Sequence, residues 1–185
     1  MLTVRERGET VATLRWIHVR LMETIASWVP TTPEMEVKLL LGAHVWDVAQ
    51  HADALGKRTF ELRMPLQHSL EPAPSYKELL ASVAGVTDTA ERIAALYDGV
   101  LVALAVRYRN YLDRTDRLLD APTVRILEHI ASEQARMIRE AHELVGQLPQ
   151  LALKGREPLE RLLTNERQIA TFVVHRMEHS SAGAP

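Results

Sequence analysis

Apolar residues recur at helical spacing through four long stretches of this chain, and prolines separate those stretches. A chain patterned this way buries its stripes by packing helices side by side. The first helix is predicted from about Gly8 to Val29, and it stops at Pro30. Thr31-Thr32-Pro33-Glu34 reads as the next start: threonine as cap, proline in the first turn, then acid. That second helix runs to about Arg63, where Pro65 ends it, and its length of roughly 30 residues spans a whole domain. Residues 64–86 form a connection with Pro65, Pro72 and Pro74 and one short helix around Tyr76–Val83. A third long helix, capped by Thr87 or Asp88, extends to Leu119. After a break at Asp120-Ala121-Pro122 the fourth runs to about Leu148, and a fifth covers about Pro158 to Met177. Strand patterns and internal repeats are missing from the sequence. Two long helix pairs joined by one longer crossover predict an all-α, antiparallel four-helix bundle over residues 1–150. A C-terminal docking helix follows over 151–178, and 179–185 (ending SSAGAP) reads as a disordered tail.

Composition narrows the function. The 185 residues are 46% hydrophobic and 25% charged, which suits one domain with a substantial core. With 22 basic and 24 acidic residues and a net charge of −2, no nucleic-acid partner is expected. No apolar run approaches the roughly 18 residues of a membrane span, so no membrane partner is expected either. The N-terminal MLTVRERGETVATL has no apolar signal core, and a cytoplasmic location is the expectation. The absence of cysteine removes disulfides, thiol nucleophiles and iron–sulfur clusters together.

Histidines on apolar faces mark a candidate site. His18 shares a stripe with Val11, Leu14, Leu21, Met22, Ile25 and Val29. His44 and His51 share another with Val37, Leu40, Leu41, Val48 and Leu55. A buried polar group without a partner costs roughly 2–7 kcal/mol, so each of these rings must bond to something. The segment TDRLLDAPTVRILEHIASEQARM carries a D-x-P-T-x-R-x-L-x-x-I run leading to an acidic residue. It resembles the entry to the last helix of ferritin-like proteins, and LLGAHVWDVAQHADALGKR is similar in style. The resemblance covers about residues 8–148 and implies a ferritin-like bundle. Its di-iron members take one glutamate from each of two helices and Glu-x-x-His from each of the other two. Here His51 matches a histidine but Val48 stands at its glutamate position, and Glu133 matches a glutamate but Arg136 stands at its histidine position. Val100 and His18 occupy the levels of the remaining ligands. A standard di-iron centre is therefore not expected.

Two chemistries remain open. His44 and His51 lie two turns apart, roughly 10 Å along the axis, too far to share a metal. A site of His18, His51 and either Asp47 or Glu133 would instead hold iron, manganese or zinc, as in a remodelled metal-dependent oxidoreductase. Without metal, Asp47 paired to His44 or His51 would serve acid/base catalysis of an isomerase, cyclase or lyase type on a small-molecule substrate. Tyr97, Tyr108 and Tyr111 would line the pocket, Arg107 would hold an anionic group, and Gln134 would be a buried hydrogen-bond partner. A third reading is a non-catalytic binding or scaffold bundle that has lost its metal site. Arg136, Glu140 and Glu143 read as a solvated, salt-bridged face beside the border residue Glu133. Trp16, Trp28 and Trp46 fall on helix flanks, which suggests cover by the fifth helix or a homodimer.

Overall fold

The computed structural model describes residues 2–153 and 155–175, and among these no strand occurs. Helix α1 spans Val4–Thr31 and begins a turn before the apolar stripe does. Its start is a capping box: Glu6 N–H donates to the Thr3 hydroxyl at 3.2 Å, and Thr3 N–H donates to the Glu6 carboxylate at 2.7 Å. Pro30 sits inside its last turn. Helix α2 covers Met35–Glu61, and its cap residue Glu34 makes no side-chain capping bond. The threonine expected to start α2 closes α1 instead. Thr32 donates its hydroxyl to the Trp28 carbonyl at 2.8 Å and accepts from Arg92 Nη1 at 3.2 Å.

The crossover holds α3, Pro74–Ala84, with a proline in its first turn. The third long helix, α4, is continuous through three parts: Thr89–Ile93, a π-helical stretch Ala94–Val100, and Leu101–Arg114. It stops short of the expected Leu119. Helix α5 covers Ala121–Gln147 and a short turn Pro149–Leu151 follows. Helix α6, Glu157–Gln168, ends well before the expected Met177, which lies outside the described residues together with the tail 179–185. No helix among the described residues is long and apolar enough to cross a membrane.

Cross-helix bonds give the topology. Along α1 and α4, Trp28 stacks against Arg92 at one end and His18 bonds Tyr108 further down, so the two run antiparallel. Along α2 and α5, His44 meets Glu140 and Arg58 meets Thr123, which is again antiparallel. Along α2 and α4, Thr32 just before α2 meets Arg92 and His44 meets Tyr97, so these two are parallel. That parallel step is what requires a crossover as long as the helices themselves. The core between the four is continuous, with Ile17, Leu21, Val48, Leu55, Leu96, Leu104, Leu127 and Met137 all essentially inaccessible. Trp28, expected on an outer flank, is part of this core, and its indole N–H donates to the Ala84 carbonyl at 3.3 Å. Trp46 stays 67% exposed.

The C-terminal segment is docked more by polar bonds than by burial. No residue of α6 is fully buried. Leu162 packs over Gly99 so closely that an added Cβ would lie 2.5 Å from its methyl group. Arg107 fastens the end of α6, with Nε donating to the Glu166 carboxylate at 2.6 Å and Nη2 to the Ile169 carbonyl at 3.0 Å. Beyond α6 the chain is non-helical, Phe172 and Val173 are buried, and the Phe172 carbonyl accepts from Ala73 N–H at 2.8 Å. Arg107→Met is therefore expected to speed trypsin cleavage at Arg156, Arg161 and Arg167. Thermal unfolding of the remaining helices should move little. Unchanged digestion would show that apolar contact alone docks the segment.

Candidate functional site

α1, α2, α4 and α5 each send polar side chains into the core. α2 places His44 and His51 two turns apart, and α5 places Glu140 and Glu133 two turns apart in the opposite direction. Antiparallel packing aligns the two ladders rung for rung. His51 Nε2 lies 2.7 Å from Glu133 Oε2, and His44 Nε2 lies 2.9 Å from Glu140 Oε2. His18 and His44 are 0% exposed and His51 is 1% exposed. The carboxylates are the outer end of each rung, with side chains 27% and 39% exposed for Glu133 and Glu140.

α4 closes the far side. The Tyr97 hydroxyl lies 2.7 Å from His44 Nδ1, and the Tyr108 hydroxyl lies 2.8 Å from His18 Nε2. Gln134 Nε2 donates to the Tyr108 oxygen at 3.2 Å, which makes it the buried hydrogen-bond partner its position suggests. The His18 and His51 rings meet edge to face, 5.3 Å between centroids. Between the rungs, Arg136 Nη1 donates to both Glu140 oxygens at 3.0 and 3.1 Å, and Nη2 donates to Asp47 Oδ2 at 2.7 Å.

The electrostatics follow from burial. Loss of solvent holds the His18 pKa well below the ordinary imidazole value, and the neighbouring His51 adds to this. Burial also lowers His44 and His51, outweighing the hydrogen bonds they donate to Glu140 and Glu133, which favour the charged ring. All three are neutral imidazoles at neutral pH. Burial raises the Tyr97 and Tyr108 phenols, so both remain protonated. Glu140 is held below its usual range by the bond from His44 and by Arg136. Asp47 and Glu140 hold Arg136 firmly in its charged form.

Several expectations are revised by this geometry. Asp47 hydrogen-bonds neither His44 nor His51; it is bound to Arg136, and the carboxylates that hold the imidazoles come from α5. Glu140 and Arg136, read as a solvated, salt-bridged face, do form an i,i+4 ion pair and are more than a third exposed, and they also reach inward to His44 and across to Asp47. Arg107 stands away from the site and fastens α6, so the anion it holds is Glu166. Tyr111 is likewise elsewhere, donating to Asp120 Oδ2 at 2.6 Å. Tyr97 and Tyr108 do reach the site, as partners of the histidines. The best-formed clefts lie away from these rings. One cleft of about 200 Å³ is lined by Val83, Ala94, Ala95 and Leu162. Another, of about 130 Å³, is lined by Arg107, Tyr111 and Phe172. Neither these nor three larger clefts, of about 860, 440 and 350 Å³, are lined by His18, His44 or His51.

No protein-family profile, curated protein or solved structure matches this chain. The donor set must speak for itself. Among the described residues, no three His, Cys, Asp or Glu side chains are grouped so as to hold a metal ion. The expected ligands His51 and Glu133 bond to each other, and the expected ligand His18 spends Nε2 on Tyr108. These bonds use the Nε2 atom of each ring and one Glu133 oxygen, and they leave Nδ1 of His18 and of His51 as the unengaged nitrogens.

The missed partners had a sequence signal. His44 and His51 are seven residues apart, as are Glu133 and Glu140. Two matched two-turn spacings on helices expected to pack antiparallel amount to a register prediction.

Proposed function

We propose that this chain is a ferritin-like four-helix bundle in which organic charges have replaced a metal centre, and that it works as a binding or scaffold bundle. Support for the fold comes from the crossover topology, with α2 parallel to α4 and each flanked by antiparallel neighbours. The observation that carries the function is Arg136. It stands where the resemblance places the histidine of Glu-x-x-His, and its guanidinium neutralises Asp47 and Glu140 at 2.7 and 3.0 Å. A guanidinium is a permanent cation with five donors and no ligand function. It brings one positive charge to the two carboxylates, with none of the Lewis-acid or redox chemistry of a metal ion. Untagged protein expressed with added iron, manganese and zinc is expected to carry only substoichiometric metal, and a chelator is expected to leave its Tm unchanged. Stoichiometric metal with a chelator-sensitive Tm would overturn the proposal.

A second reading, a metal-free acid/base catalyst acting on a small molecule, rests on the Glu140–His44–Tyr97 chain. A carboxylate that fixes one imidazole nitrogen sets the tautomer and basicity of the other. Substrate would have to approach along the half-exposed carboxylate seam between α2 and α5. A small-molecule library that leaves the His44 and His51 NMR resonances unmoved would remove this reading.

A further inference from the structure

We infer that the core holds a binding site for a single water-sized, hydrogen-bonding guest between His18, His51 and Gln134. The inference starts from a difference between two equivalent rungs. On the His44 rung both ring nitrogens are engaged, Nε2 with Glu140 and Nδ1 with the Tyr97 hydroxyl. On the His51 rung, Nε2 is engaged with Glu133 but Nδ1 is buried without a partner. Two more buried atoms lack partners in side chains linked to this ring: His18 Nδ1 and Gln134 Oε1. His18 meets His51 edge to face, and Gln134 and His18 share the Tyr108 hydroxyl.

Proton counting assigns a role to each open atom. Ionised Glu133 can only accept, so His51 Nε2 carries the proton and its Nδ1 is a bare acceptor. Tyr108 oxygen accepts from the Gln134 amide, and its single proton has His18 Nε2 to donate to. His18 Nε2 is therefore the acceptor, and the proton of that neutral ring sits on Nδ1 as an open donor. Gln134 Oε1 is a second open acceptor. One donor and two acceptors complement one water molecule, which accepts from His18 and donates to His51 and Gln134. Buried waters make about three such bonds and occupy polar sites too small for a larger ligand. Orphaned buried polar atoms are rare in folded proteins, and three in one connected cluster signal a shared partner. With the guest in place, an unbroken hydrogen-bonded path runs from the half-buried Glu133 through His51 and His18 to Tyr108.

This inference rests on the metal-free reading in one respect: a metal ion on either Nδ1 would take the guest's place. The test is a long-range ¹H–¹⁵N spectrum of the full-length protein at pH 7.5, paired with a high-resolution crystal structure and metal analysis of the same preparation. The expected result is His18 protonated on Nδ1 and His51 and His44 on Nε2. A single density peak should lie at hydrogen-bond distance from His18 Nδ1, His51 Nδ1 and Gln134 Oε1. In metal-free protein, a His18 ring protonated on Nε2, or no peak there, overturns the inference and leaves the proposed function standing. Stoichiometric metal at this position overturns both.

Discussion

Asp120→Ala is expected to lower the unfolding free energy by about 3 kcal/mol or more, because it removes the buried counter-charge of Arg58, leaves that arginine only the exposed Glu61, and strips three hydroxyls of their acceptor. Asp120 is 0% exposed. Its Oδ1 accepts from Arg58 Nη2 at 3.0 Å and from the Thr123 hydroxyl at 2.6 Å. Oδ2 accepts from Tyr111 at 2.6 Å and from Thr115 at 2.9 Å. Arg58 also reaches Thr123 through Nε at 2.8 Å and Glu61 through Nη1 at 2.6 Å. One carboxylate thus ties the end of α2, the end of α4 and the start of α5 together. Burial alone would raise its pKa, but the bonds from Thr123, Tyr111, Thr115 and Arg58 together hold it below the usual range. For a domain of this size, the loss corresponds to a Tm drop of roughly 6–20 °C. Urea unfolding measures it, and a loss under about 1 kcal/mol would show that water enters and replaces the carboxylate. The double variant Arg58→Met, Asp120→Leu should recover much of the loss, since removing both charges removes the unpaired one.

Acidification from pH 7.5 to 5.5 is the second large effect expected. His18, His44 and His51 all have folded-state pKa values below the ordinary imidazole value of 6.5. A group whose folded pKa is depressed in this direction binds its proton preferentially in the unfolded chain. Stability is therefore full above about pH 6.5 and falls as pH drops below it. Each such group contributes a limiting slope of about 1.4 kcal/mol per pH unit, so three together reach about 4 kcal/mol per unit while the folded rings stay neutral. The groups facing them favour the same sign for His18, which has Tyr108 and His51 beside it and no carboxylate bonded to it. Glu140 and Glu133, with Asp47 behind them, soften the slope for His44 and His51, while Arg136 and His129 oppose protonation there. Urea midpoints at pH 7.5, 6.5 and 5.5 should decrease in that order. His18→Gln should flatten the decrease by about a third or more, since the slopes of the other two rings are the softened ones. A midpoint that rises toward pH 5.5 would mean that the glutamates, not burial, dominate.

How much of this was legible before folding depends on the range of the interaction. Helix number, order and approximate ends follow from apolar spacing and from prolines, because both act within a turn or two. The errors at helix ends came from side chains that act at a distance. Thr32 has the chemistry of an N-cap, yet Trp28 and Arg92 engage it across the structure. The last helix looked longer because Ile169, Phe172 and Val173 continue an apolar pattern, yet the helix ends at Gln168 and Phe172 docks against α3 while Arg107 holds the Ile169 carbonyl. The D-x-P-T run was visible as a helix start, whereas its main role is the Arg58–Asp120 tie, which spans 62 residues of sequence.

The sequence by itself determined that His18, His44 and His51 lie on the inward faces of an all-helical core. Periodicity places a residue on a face, and burial of a ring with two polar nitrogens obliges it to find partners. Which partners it finds was decided only by tertiary structure. Asp47 lies one turn from each α2 histidine in sequence, but it pairs across to Arg136 on α5. Glu133 and Glu140, more than eighty residues away, reach His51 and His44 because antiparallel packing sets them rung against rung. Pairing between helices is a matter of register, and register is fixed by how the whole core packs.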